Sequence, residues 1–187
     1  MAGTSVSKTK ISVNEMAISA LFAALTAVMG YVVIPLPFSP VPITGQTFAV
    51  MLTGGLLKTR TAVISMLVFI FIGILGLPVF AGGHSGMGVL LGPTGGYILS
   101  WPLAVMFISK LLGKKEPTGF VYTLFVNILG GIIIVYLIGI LQLALVTGLD
   151  FKRAFMLGGL PFIPGDIFKA FVSALLTVRL RKTVLKQ

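Results

Sequence analysis

The chain has 187 residues, 57% of them hydrophobic and only 10% charged, with a mean hydropathy of +1.10 and a net charge of +10. That balance excludes an ordinary soluble domain and predicts a single membrane domain over 1–187, too short to add a separate catalytic module. The cations do not cluster into the patch a nucleic-acid partner requires, and without cysteine there is no disulfide, thiolate metal site or cysteine nucleophile.

A polar tail, 1–14, precedes the first predicted helix at about 15–34, long enough to cross a hydrocarbon core and lacking a cleavage-site pattern. A shorter apolar run follows at about 46–57, with an uncharged loop before it and Lys58 and Arg60 after it, which favours a crossing. The next segments lie at about 61–77 and 95–112, the latter with Pro102 as an expected kink. A long segment at about 119–146 has room to tilt, and the last runs from about 162 to 178.

The loops between these segments alternate in character. Eight of the ten prolines fall in Pro35–Gly45, Pro78–Gly96 and Gly148–Gly165. Eleven of the fourteen cations, Lys8, Lys10, Lys58, Arg60, Lys110, Lys114, Lys115, Arg179, Arg181, Lys182 and Lys186, occupy the tails and the other loops. Lys/Arg excess marks the cytoplasmic face, so the chain reads as a compact all-α bundle of six transmembrane helices with both termini inside. Contact with anionic lipid fits the same distribution. Asp150, Lys152 and Arg153 run against the pattern, in a loop assigned to the outside.

Small residues recur on the first helix in two registers, Ala20 and Ala24, or Ser19, Ala23 and Ala27. Either register lets a helix backbone approach closely, within this bundle or against another membrane subunit.

Chemistry has few residues to work with. The acids are Glu15, Glu116, Asp150 and Asp166, and the one histidine is His84. Neither HExxH, GxSxG nor a paired-carboxylate helix occurs, so neither an enzyme nor a metal site is expected. Gly113-Lys114 lacks the rest of a P-loop, and any energy coupling must come from a partner or an ion gradient. The strongest site signal is Pro164-Gly165-Asp166-Ile167-Phe168-Lys169, where two ionisable residues three apart share a helix face in apolar sequence. Such residues are costly in a membrane and usually face a cavity or a partner, although Asp166 could instead cap the last helix with Lys169 paired to it. The glycine-rich stretch from Gly76 to Gly96 brings Gly82 and Gly83 into consideration, because glycine lets main chain approach a ligand. Its apolar residues Val79, Phe80, Val89, Leu90 and Leu91 predict that it folds back, with His84 an incidental loop residue. Thr44, Gln46 and Tyr97 are further hydrogen-bonding candidates.

Three segments together resemble one family, the biotin-specific substrate-binding (S) components, BioY, of energy-coupling-factor vitamin transporters. They are Pro40–Thr47 (PVPITGQT), Gly76–Gly83 continuing to Gly88–Tyr97 (GLPVFAGG and GVLLGPTGGY), and Pro161–Asp166 (PFIPGD) continuing to Lys169-Ala170. The resemblance spans nearly the whole chain from the first helix onward. It implies a six-helix S-component fold in the cell membrane, with biotin as transported ligand and no cofactor. It also implies docking on a membrane coupling subunit, the T component, driven by two ABC-type ATPases, through the alanine face of the first helix. For biotin, Lys169 is then expected to bind the carboxylate and Asp166 a ureido N–H, with Thr44, Gln46, Tyr97, Gly82 and Gly83 completing the pocket. A different small vitamin, transport without an ATPase partner, or a small intramembrane enzyme built on Asp166, Lys169 and His84 are the competing readings.

Overall fold

The computed structural model describes residues 12–113 and 119–184. Most of the polar tail, with Lys8 and Lys10, and also Lys114, Lys115, Glu116 and Lys186, lie outside the described residues. Helix α1 (Val13–Met29) opens on a capping box: Ser12 Oγ accepts from the Glu15 amide at 3.1 Å, and the Glu15 carboxylate accepts from the Ser12 amide at 3.0 Å. It stops five residues short of the predicted limit at Ile34. Val33–Ile34 instead forms a strand, β1, antiparallel to β2 (Ile43–Thr44), with Val33 opposite Thr44. The β-branched run Val32-Val33-Ile34 favours extended backbone, and Pro35 disfavours the helical conformation at Ile34. The first proline-rich loop is therefore a closed hairpin.

Helix α2 (Gln46–Leu56) is the centre of the bundle, with Ala49 through Gly55 all buried. It is apolar all round because other helices surround it. Gly54 and Gly55 permit this: a Cβ at Gly54 would strike Ile108, and one at Gly55 would strike Thr177. Helix α3 (Thr59–Ile74) packs on α1, where Ser19 Oγ donates to Thr61 O at 3.3 Å. It ends before Leu77, the predicted limit, because Gly76 takes a positive φ of 101° and Pro78 follows.

The glycine-rich stretch folds back as expected. It contains a 3-10 turn at Ala81–Gly83 and a short helix, α4 (Met87–Leu91). Phe80 is fully buried and meets Phe69 edge-on at 5.6 Å between centroids; Phe69 in turn touches Trp101. Helix α5 (Gly95–Leu112) has the predicted bounds and carries Pro102 within it. The long predicted segment is a continuous rod of α6 (Phe120–Ile128), a π-turn at Leu129–Ile134 and α7 (Val135–Thr147). A helix absent from the sequence reading, α8 (Phe151–Gly158), follows the left-handed Gly148. After a 3-10 turn at Leu160–Phe162, α9 (Ile163–Val184) runs well past its predicted end at 178. Gly95–Leu112, Phe120–Thr147 and Phe151–Lys182 are long and apolar enough to cross a membrane.

The two ends of the bundle differ chemically. At one end the termini of α2, α5 and α9 meet: Arg181 donates from Nε to Gly55 O at 2.7 Å and from Nη1 to Leu112 O at 3.0 Å. Lys58, Arg60, Lys110, Arg179 and Lys182 lie along the same stretches of chain. A guanidinium on two helix C-termini satisfies carbonyls that have no intrahelical donor and complements both helix dipoles. Arg181→Met is expected to destabilise the folded protein by about 2–4 kcal/mol, since charge-assisted hydrogen bonds contribute about 1.5–3 kcal/mol each. Thermal unfolding in detergent checks this; an unchanged midpoint would show that the clamp is dispensable.

A polar cluster at the floor of an apolar cavity

At the other end the hairpin, the glycine-rich stretch and the starts of α2, α5, α7 and α9 enclose a cavity of about 540 Å³. That volume suits a small organic molecule, and most of the wall is apolar, with Pro35, Leu36, Val41, Val89, Ile98, Trp101 and Phe162 contributing. The polar groups concentrate around Asp166, which is 3% exposed.

Asp166 lies in the first turn of α9 and Lys169 one turn on, so both side chains project from the same face. Lys169 Nζ donates to Asp166 Oδ1 at 2.8 Å, to Thr44 O at 2.6 Å and to Thr47 Oγ1 at 3.1 Å. Thr47 Oγ1 in turn donates to Asp166 Oδ1 at 2.9 Å, and Tyr136 OH donates to Asp166 Oδ2 at 2.6 Å. These partners come from β2, α2, α7 and α9, so the pair ties four elements together. Every recorded bond to the carboxylate is from a side chain, so Asp166 does not act as a backbone cap of α9.

A buried ion pair loses hydration that its mutual attraction only partly restores, and it persists where further hydrogen bonds complete its shell. Here all three ammonium protons are placed, whereas Oδ2 holds one donor and keeps a lone pair. The cluster can therefore accept an N–H from a ligand without rearrangement. A ligand anion at Lys169 would have to exchange with one of its present acceptors.

The BioY family model matches residues 5–186. The chain belongs to the BioY family. The probable biotin transporter BioY of Bacillus subtilis is 38% identical over 166 residues, covering 88% of this chain and 89% of that one. The biotin transporter BioY of Rhizobium etli is 38% identical over 173 residues, covering 89% and 92%. The crystal structure of the S-component for biotin from an ECF-type ABC transporter superposes with a TM-score of 0.84 at 32% identity, covering 97% of this chain and 95% of that one. The S-component architecture is thereby shared along the length of the chain.

The cavity collects most residues singled out from the sequence, but not in equal roles. Thr44, Gln46, Tyr97, Gly82, Asp166 and Lys169 all line it, and so does His84. Thr44 contributes its carbonyl to Lys169, while its hydroxyl accepts from the Gln46 amide. Gln46 is 2% exposed, and its amide nitrogen donates to Thr26 O and Val79 O, both at 3.3 Å. Tyr97 OH donates to Gly158 O at 2.7 Å. Gly82 and Gly83 have positive φ angles of 68° and 80°, but their amides are already committed to Gly30 O and Phe80 O. Gly83 is not part of the cavity wall; a Cβ there would face the Tyr31 ring. Main-chain N–H donation at these two glycines thus serves the loop, not the cavity.

Thr47 and Tyr136 were missed by sequence reasoning. Thr47 adjoins Gln46 in the PVPITGQT segment, so its neighbourhood was flagged. Tyr136 sits in an unbroken apolar helix, and its one local hint is Gly130-Gly131 within the π-turn that precedes it. Such a turn shifts the register of everything after it and recurs beside functional sites. Here Val135 and Tyr136, next along the chain, reach the cavity.

On α1 the structure separates the two small-residue registers. Ser19 and Ala23 are buried and Ala27 is partly buried against the bundle, whereas Ala20 and Ala24 point outward. Among the described residues no group of His, Asp or Glu could hold a metal ion.

Proposed function

We propose that this chain is the biotin-binding S component of an energy-coupling-factor uptake transporter in the cell membrane. The observation that carries the proposal is the largely apolar cavity over one Asp166–Lys169–Thr47–Tyr136 cluster, in a chain of the BioY family. Biotin matches that wall: an apolar ring and chain for the surface, ureido N–H donors for Asp166 Oδ2, and a ureido oxygen or carboxylate for Lys169. The relatives carry the names of transporters, and the catalytic alternative built on Asp166, Lys169 and His84 has no support in this geometry, because both charges are already neutralised by each other and by hydrogen bonds.

Uptake needs energy that this chain does not supply, so the S component works with a T component and two ABC-type ATPases. The outward Ala20/Ala24 face of α1 is the docking surface for the T component. Six crossings with both termini in the cytoplasm follow from the charge asymmetry, with the cavity opening outward. A biotin-auxotrophic host tests the transport reading. Growth on trace biotin is expected when the chain is expressed with a coupling module, and failure to restore growth despite membrane expression would contradict it.

The orientation has its own test, made clean by the absence of cysteine. Ser85→Cys and Lys152→Cys are expected to react with an impermeant maleimide in intact cells, and Lys110→Cys only after permeabilisation. The reverse pattern would invert the topology.

A further inference from the structure

Among the described residues, helix α8 combines charge that opposes the topology with an apolar side that is not used up inside the protein. Ala154 and Gly158 are buried; a Cβ at Gly158 would strike Leu143 of α7 and the hydroxyl of Tyr97. Phe151 and Phe155 lie next to them on the same side, one turn apart, yet are 58% and 37% exposed. Lys152 and Arg153 project elsewhere and are exposed; Arg153 pairs with the exposed Asp150 at 3.4 Å. A short amphipathic helix with phenylalanines on one side and cations on the other fits the boundary between acyl chains and headgroups.

Its far end is tied to the cavity. Leu157 O accepts from Ser39 Oγ at 2.8 Å, and Gly158 O accepts from Tyr97 OH at 2.7 Å. Both hydroxyl residues line the cavity. Whatever fixes α8 therefore also fixes two points of the cavity wall, one on the hairpin and one on α5.

We propose that α8 is a membrane-surface anchor that seats Phe151 and Phe155 among acyl chains, binds the phosphates of acidic phospholipid through Lys152 and Arg153, and thereby steadies the cavity rim. Each cation near an anionic lipid surface is worth roughly fivefold in attraction, and α8 supplies two, Lys152 and Arg153. The effect on the ligand rests on the biotin reading; the lipid contact does not.

Nitroxide labels at Phe151→Cys, Phe155→Cys and Lys152→Cys, in the full chain reconstituted into vesicles, report depth without any ligand. Positions 151 and 155 are expected to collide more with oxygen than with a water-soluble nickel complex, and position 152 the reverse. Raising phosphatidylglycerol from none to half of the lipid should slow the labels at 151 and 155, where both cations remain. Nickel-dominated collisions at all three positions would overturn the anchor. The second measurement compares biotin release from wild type and the K152Q/R153Q variant in both lipids. Release from wild type is expected to slow at least fivefold, roughly one cation's worth, in phosphatidylglycerol, and release from the variant to be indifferent to lipid. Equal lipid dependence in both proteins would sink the coupling to the rim. Absence of biotin binding in either protein, with labels still at depth, would reject that coupling together with the biotin reading and leave the anchor standing.

Discussion

Asp166→Asn and Lys169→Met should each weaken biotin binding roughly ten- to a hundredfold while leaving a folded, monodisperse protein. Among the described residues the Lys169 ammonium is the sole cation bonded to Asp166, and Thr47 and Tyr136 are the other donors to the same carboxylate. Removing the lysine leaves a buried anion held by two hydroxyls; removing the carboxylate charge leaves a buried cation with neutral acceptors. Breaking such a pair costs about 3–5 kcal/mol in fully buried settings. Lys169 keeps 17% side-chain exposure toward the cavity, so water moderates that cost here. Calorimetry with biotin reads the effect. Wild-type affinity in either folded variant would show that the cluster is architectural, and loss of folding in both would assign the pair to stability.

The second large effect is expected at α1. Ala20→Trp and Ala24→Trp should leave biotin binding intact and abolish co-purification with the T component, because a tryptophan holds two helix backbones apart. Ala23→Trp should behave differently. Ala23 is 1% exposed within the bundle, so the indole has no space and the isolated subunit should lose roughly 1–3 kcal/mol or fail to fold. Assembly of both outward variants at wild-type level would remove the docking surface from α1.

The sequence allowed both registers because Ser19, Ala20, Ala23, Ala24 and Ala27 are all small, and residue size alone does not say which side faces the neighbours. Burial separates them: Ser19 and Ala23 are buried, and Ser19 bonds Thr61 of α3. The same contrast runs through the chain. Helix α5 was legible to the residue because Pro93-Thr94 and Gly113 bracket an apolar run. The end of α1 was not, since Val32-Val33-Ile34 is as apolar in a strand as in a helix, and only pairing with Ile43–Thr44 distinguishes them. Helix α8 was read as loop because Asp150, Lys152 and Arg153 interrupt the hydropathy, although Asp150 caps the helix by accepting from the Arg153 amide at 3.0 Å.

Within the cavity, Asp166 and Lys169 stood out as ionisable groups in apolar surroundings, a signal that needs no tertiary information. Their partners carry no such mark. Tyr136 is one of four tyrosines, and its bond to Asp166 spans thirty residues of chain. Gly82 lines the cavity and Gly83 does not. Their positive φ angles were foreseeable, but the destination of their amides depends on where Gly30 and Phe80 come to rest.

We propose that the cavity above Asp166 is the biotin site. Isothermal titration of the purified chain, stripped of bound ligand, tests it most directly. Biotin should bind tightly with one molecule per chain, and riboflavin and thiamine should give no heat at the same concentrations. No biotin binding by a folded protein, or equal affinity for another vitamin, would contradict the claim.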